Sequence, residues 1–129
     1  VAIVSLRFQP AAEHVRTARL VAVATARRAG MDEARLDEVR LAVGEVCARA
    51  VRRSQRAGVQ ERLLVAMDDG SATFAVEVTD HAGAVDLEEE HIALALVRGL
   101  ADVVTVLDGP GGSGGVVCLT WQSQLNAGR

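Results

Sequence analysis

An α+β domain with elements in the order βααββαββ is the fold the sequence predicts, and three observations carry it. Residues 11–29 and the stretch from Glu33 to Arg56 space their apolar residues at the helical period of about 3.6. The segments around them have strand length, and Ala2 to Phe8 alternates with the period of two. Two turns, Asp68-Asp69-Gly70-Ser71 and Gly109-Pro-Gly-Gly-Ser-Gly-Gly115, each join a pair of such strands.

Taken in order, the first strand (2–8) runs into Pro10, which suits a first helical turn because its missing N–H costs nothing there. The first helix turns Val15, Ala18, Val21 or Ala22, and Thr25 or Ala26 to one side, and Gly30 ends it. Asp32 is a good N-cap for the second helix, whose apolar stripe is Leu36, Val39, Val43, Val46 or Cys47, and Ala50. Arg62 to Met67 and Thr73 to Thr79 form the hairpin across the Asp-Gly turn. A loop from Asp80 to Asp86 leads to a third helix that opens with Glu88, Glu89 and Glu90, where acidic side chains complement the helix dipole, and that ends near Ala101. Val103 to Leu107 and Val116 to Trp121 close the list. Residues 1–122 read as one domain and 123–129 as a disordered tail.

The bulk composition narrows the function. A chain of 129 residues that is 50% apolar is long enough to bury roughly two thirds of its unfolded surface. With only three aromatic rings, Phe8, Phe74 and Trp121, its core must be Val, Leu and Ala. A net charge of −3 and so few rings argue against a general nucleic-acid binder. Cys47 and Cys118 read as reduced, buried, small apolar residues, with no disulfide framework. His14, His81 and His91 lack a third ligand at convincing spacing, so no metal site is expected. The absence of a membrane-length apolar run or a leader makes a cytoplasmic location the expectation.

The stretch from Leu41 to Arg53 holds Glu45 and Arg49 one helical turn apart. With Asp80 after the third strand, and Leu96-Val-Arg-Gly-Leu-Ala-Asp102 before a later one, it resembles the GHKL (Bergerat, histidine-kinase-like) ATPases. The resemblance is to the small branch of bacterial anti-sigma factors that are also serine kinases, and it covers nearly the whole chain. It implies a two-layer sandwich whose mixed, mostly antiparallel sheet carries its helices on one face. In that family a Glu is the general base, and an Asn four residues on holds the Mg²⁺ that bridges the ATP phosphates. Glu45 stands at the base position, but Arg49 replaces the Asn, and a guanidinium has no acceptor atom for a cation.

Other boxes of the family are altered as well. Asp80 stands where the family's Asp accepts a hydrogen bond from the adenine amino group. The glycines of that loop fall on Ala82 and Ala84, with Gly83 between them, and an added Cβ intrudes where the base approaches. The phosphate-binding glycines fall on His91 and Ala93, behind three glutamates that repel a triphosphate. Only Leu87 to Glu90 stand in place of the ATP lid. Gly111, Gly112, Gly114, Gly115 and Thr120 match the last box.

These departures imply an anti-sigma-factor-type regulator in a partner-switching circuit that controls transcription. It would bind a sigma factor or an anti-anti-sigma protein, with no cofactor and no ATP-dependent kinase activity. The alternative is an active, divergent serine kinase that phosphorylates an anti-anti-sigma factor with Mg-ATP, using Glu45 as base and Asp80 to hold the nucleotide. In the family, partners contact the first helix through a Val-Arg-x-Ala-Arg pattern, which places Arg16 and Arg19 as partner contacts. The resemblance also implies a homodimer formed through the first strand and helix, and the exposed side of that strand reads as apolar enough to want cover. Arg49, Arg52, Arg53 and Arg56 form a helical stripe, read as a solvated face or as a surface in which Arg49 and Arg52 meet a partner. Glu45 and Arg49 have the spacing of a helical ion pair. Gly44, which costs the helix about 0.5–1 kcal/mol relative to Ala, would allow a close helix–sheet approach.

Overall fold

The computed structural model describes residues 3–70, 72–83, 87–108 and 115–122, and of 87–91 and 93 the backbone alone. Ala84, the glycine turn through residue 114, the 123–129 tail and the side chains of Glu88, Glu89, Glu90, His91 and Ala93 therefore lie outside the described residues. The elements are β1 (Ile3–Phe8), α1 (Val15–Arg28), α2 (Glu33–Ala57), β2 (Leu63–Asp68), β3 (Thr73–Thr79), α3 (Leu87–Arg98), β4 (Val103–Asp108) and β5 (Gly115–Gln122). This is the expected order. Two helix ends differ: a 3-10 turn at Ala12–His14 delays α1 to Val15, and α3 stops at Arg98, where Gly99 and Leu100 donate to the carbonyls of Leu96 and Val97.

The caps explain the length of α2. The Asp32 side chain accepts from the Arg35 N–H at 3.0 Å, and the chain leaves the helix through Gly58 at φ 66°. That left-handed conformation costs glycine nothing and other residues about 1 kcal/mol or more.

The strands form one sheet in the order β1-β2-β3-β5-β4. All four pairings among the described residues are antiparallel, so the sheet is antiparallel-rich as expected and shows no parallel pair there. One face is a buried grid: Leu63, Val65 and Met67 on β2, Phe74, Val76 and Val78 on β3, Val117, Leu119 and Trp121 on β5. The alternation of side chains along each strand sends these inward together. Ala18 and Ala22 of α1, Leu36, Val39 and Val43 of α2, and Leu94 and Val97 of α3 close over that grid. The opposite face is open to solvent at Ser5, Arg7, Glu77 and Gln122. Trp121, fully buried, donates its indole N–H to the Leu100 carbonyl at 2.9 Å, and this ties the end of α3 to the last strand.

Two sequence expectations change at this level. Cys47 is buried, and burial pushes its thiol up to about 12, but Cys118 is half-buried on the open face beside Glu77 at 3.6 Å. The exposed side of β1 is Ile3, Ser5 and Arg7, of which only Ile3 is apolar. No described helix is long and apolar enough to cross a membrane.

Candidate functional site

The middle of α2 carries two different surfaces. One looks inward to the end of β3, the other outward to α1. On the inward side Asp80, the residue after β3, is 1% exposed and meets Arg53, itself 8% exposed. The contact is two-pronged: Nε donates to Oδ2 at 2.8 Å and Nη2 to Oδ1 at 3.1 Å. Nη2 also donates to the Gly83 carbonyl at 2.8 Å. Asp80 Oδ1 accepts further from the N–H groups of Ala82 at 3.0 Å and Gly115 at 3.3 Å, so both oxygens of the buried carboxylate have donors. Planar guanidinium and planar carboxylate match in geometry, which makes such forks strong and directional.

Two glycines permit this packing. Gly83 turns the loop at φ 79°, which aims its carbonyl at Arg53. At Gly115 an added Cβ would stand 3.2 Å from Arg53 Nη2 and 3.3 Å from Asp80 Oδ2, tighter than nearly all real contacts. The backbone of β5 can come this close to the ion pair because the side chain is absent.

Arg49, one turn before Arg53, is 5% exposed. Burial first, then the charge of Arg53, lowers its pKa to about 10, against the attraction of Asp80 and with a further push from Arg52. It stays charged at neutral pH. The arginine stripe expected as one solvated face is thus split. Arg49 and Arg53 turn inward while Arg52 and Arg56 remain exposed, because four residues advance a helix by little more than one turn and three by less than one. Arg49 is therefore corrected as a surface contact: a side chain covered to this degree presents no face to a partner.

On the outward side Glu45 opens into a groove of about 600 Å³ between α1 and α2. Arg16, Arg19, Arg40 and Arg52 line it with Glu45. Glu45 pairs with Arg52, at 3.6 Å, and both are partly exposed. Seven residues bring a helix back to within about 20° of the same direction, so this pair lies along one face. Glu45 and Asp80, the two acidic residues the sequence singles out, are thus placed on different surfaces of α2. Gly44 differs from its expected role as well. An added Cβ there would stand 2.7 Å from Arg19 Cδ, so the close approach it allows is that of the Arg19 stem crossing from α1, and not of the sheet.

Two features have no counterpart in the sequence expectations. Arg53 could have been found from periodicity, since it follows Val46 and Ala50 by seven and three residues on the buried stripe. The second is a polar tie at the other end of α2. Arg35 pairs with Asp102 and with Glu38 at 3.1 Å, and Asp102 accepts the Gln122 N–H at 2.8 Å. Its partners are 67 and 20 residues apart in sequence, and no local signal announces them. Among the described residues no group of three or more His, Cys, Asp or Glu side chains is placed to hold a metal ion.

A five-stranded antiparallel sheet with α2 against one face and an Asp at the end of β3 facing that helix defines an ATPase-like sandwich. Residues 8–121 match the histidine kinase-like ATPase domain family, and the chain belongs to it. Among curated proteins none matches in sequence. Of the solved structures, the chain is similar to that of the RsbU and RsbW domains of Rv1364c from Mycobacterium tuberculosis, with 19% identity and a TM-score of 0.73. The match covers 94% of this chain and 32% of that one, so the chain spans about a third of the length of that solved chain. At this identity the likeness is one of fold.

Proposed function

We propose that the chain is an anti-sigma-type regulator that works by protein binding and not by phosphoryl transfer. It would bind a sigma factor or an anti-anti-sigma protein, and competition between such partners would set its state. The observation that carries this reading is the Arg53 fork on Asp80. Where the family's carboxylate receives a nucleobase, this chain supplies its own planar N–H donors. Its residues do not fit Mg-ATP: Asp80 is engaged by Arg53 and by two backbone N–H groups, and the position of the metal-holding amide is a buried guanidinium. The fold's similarity to a structure that contains an RsbW domain supports the partner-switching context.

Arg16, Arg19 and Arg52 are the proposed partner contacts, on the groove between α1 and α2. A homodimer built on β1 and α1 belongs to the same proposal; β1 is an edge strand, and Ile3 on it is 68% exposed. Thermal unfolding with millimolar Mg-ATP tests the central claim. We expect the same midpoint as with Mg²⁺ alone, because only a ligand that binds the folded state raises it. A rise of several degrees would overturn the claim that ATP does not bind, and transfer of phosphate to a partner serine would establish the kinase reading instead. Sedimentation at tens of micromolar tests the dimer.

A further inference from the structure

The outward groove has a shape and chemistry that select a particular kind of occupant. It continues past the space beside Glu45 into a second hollow of about 400 Å³ lined by Arg16, Arg19, Arg40 and Leu20. Along α2 it extends from Arg40 to Gln55, which at the helical rise is about 22 Å. Two large apolar side chains stand open in it, Leu20 at 61% and Leu41 at 59% exposure. Its rim is basic. Arg40 and Arg52 have carboxylate partners, Asp37 and Glu45, but Arg16 and Arg19 have none among the described residues. The remaining carboxylate on the groove is Glu13. In a chain of net charge −3 this is a local reversal of sign.

We infer that this groove docks one amphipathic helix of a partner protein, about 15 residues long, with apolar anchors on Leu20 and Leu41 and acidic flanks on Arg16 and Arg19. A third helix laid between two packed helices buries a stripe repeating at i, i+3, i+4 and i+7, and the span matches about four turns. Nucleic acid fits less well, because the floor is aliphatic and the groove has no aromatic ring on which a base could stack. The inference rests on the reading of the chain as a partner-binding regulator and adds the chemistry of the partner segment to it.

A synthetic 15-residue amidated helix with a leucine stripe flanked by glutamate tests it, alongside the same peptide with lysine for glutamate and one with the leucines scrambled. Fluorescence anisotropy should show the acidic amphipathic peptide binding at least tenfold tighter than either control. Amide shifts on the full chain should cluster at Leu20, Leu41 and Gly44. The variants Arg16→Glu with Arg19→Glu, and Leu20→Ser with Leu41→Ser, change exposed side chains and should keep the native circular dichroism while each losing tenfold or more in affinity. Equal binding of the three peptides, shifts confined to the open sheet face, or equal binding of duplex DNA and the acidic peptide would overturn it. If a sigma or anti-anti-sigma protein binds and the peptide does not compete, the helix assignment fails and the partner-binding reading stands. If the peptide binds and neither class of protein does, that reading fails and the groove remains.

Discussion

At the scale of single residues, the Arg53–Asp80 pair is the feature whose energetics can be checked most directly. Both charges are withdrawn from water, so each depends on the other, and breaking such a pair from one side leaves an uncompensated charge inside. Asp80→Ala should therefore destabilise the protein by about 3–5 kcal/mol in urea unfolding. Replacing both partners with apolar residues of similar volume, Arg53→Met with Asp80→Leu, should cost less than that single change, since neither charge of the pair then has to be desolvated and buried Arg49 loses the repulsion of Arg53 together with the attraction of Asp80. A double variant as unstable as Asp80→Ala would show that the loop at Gly83 and the start of β5 need the fork itself. Gly115→Ala belongs to the same test: its Cβ would press on both members of the pair, and a measurable loss of stability is expected.

At the scale of elements, most of the fold was legible because local signals agree with one another. Asp32 caps α2 where the sequence places it, the turn between β2 and β3 carries its glycine, and the strand alternation survives in the burial of β2, β3 and β5. What the sequence reading did not supply was the partner of the arginines on the buried side of α2. Periodicity puts Arg53 on the stripe of Val46 and Ala50 and leaves Glu45 to the groove, but the carboxylate that Arg53 meets is 27 residues away, and only tertiary packing brings it there. Gly44 makes the point experimentally. Alanine there should add about 0.5–1 kcal/mol of helix stability, because the atom it meets is far along the flexible Arg19 side chain and can move. The same change should weaken partner binding by displacing Arg19 from the groove; unchanged affinity would mean that Arg19 is a bystander. The tie between Arg35 and Asp102 carries a pH signature. Hydrogen bonding to Arg35 holds the Asp102 carboxyl below its ordinary value, so the stability it adds is present above the unfolded carboxyl pKa of about 3.9 and is lost as pH falls through the lower folded value. Asp102→Asn should flatten that acid limb. Since Asp102 is 35% exposed, the effect should shrink in high salt.

At the scale of the whole molecule, the two surfaces of α2 separate what an ATPase-like domain ordinarily combines. Among the described residues the inward surface is occupied by the Arg53–Asp80 fork and the outward one is open, so in the proposed reading nucleotide and partner are uncoupled, since a ligand shifts an equilibrium only by its differential affinity for the states involved. Glu45→Gln distinguishes this arrangement from catalysis. In a kinase the change would remove the base and abolish phosphate transfer to a partner serine. In a regulator that acts by binding alone, Glu45 performs no chemistry; it neutralises Arg52 across 3.6 Å on the rim of the groove. Removing its charge leaves Arg52 available to an acidic partner, so affinity should be unchanged or rise a few-fold at low ionic strength, with the gain vanishing as salt screens the exposed charges. The exposed pair contributes little to stability, and the unfolding free energy should stay within about 0.5 kcal/mol of the parent. A partner titration by calorimetry at two salt concentrations reads the affinity and its screening, and urea unfolding reads the stability. A loss of partner affinity in Glu45→Gln, with the fold intact, would mean that the carboxylate itself touches the partner, and the sign of the charge assigned to the groove's occupant would have to be reversed.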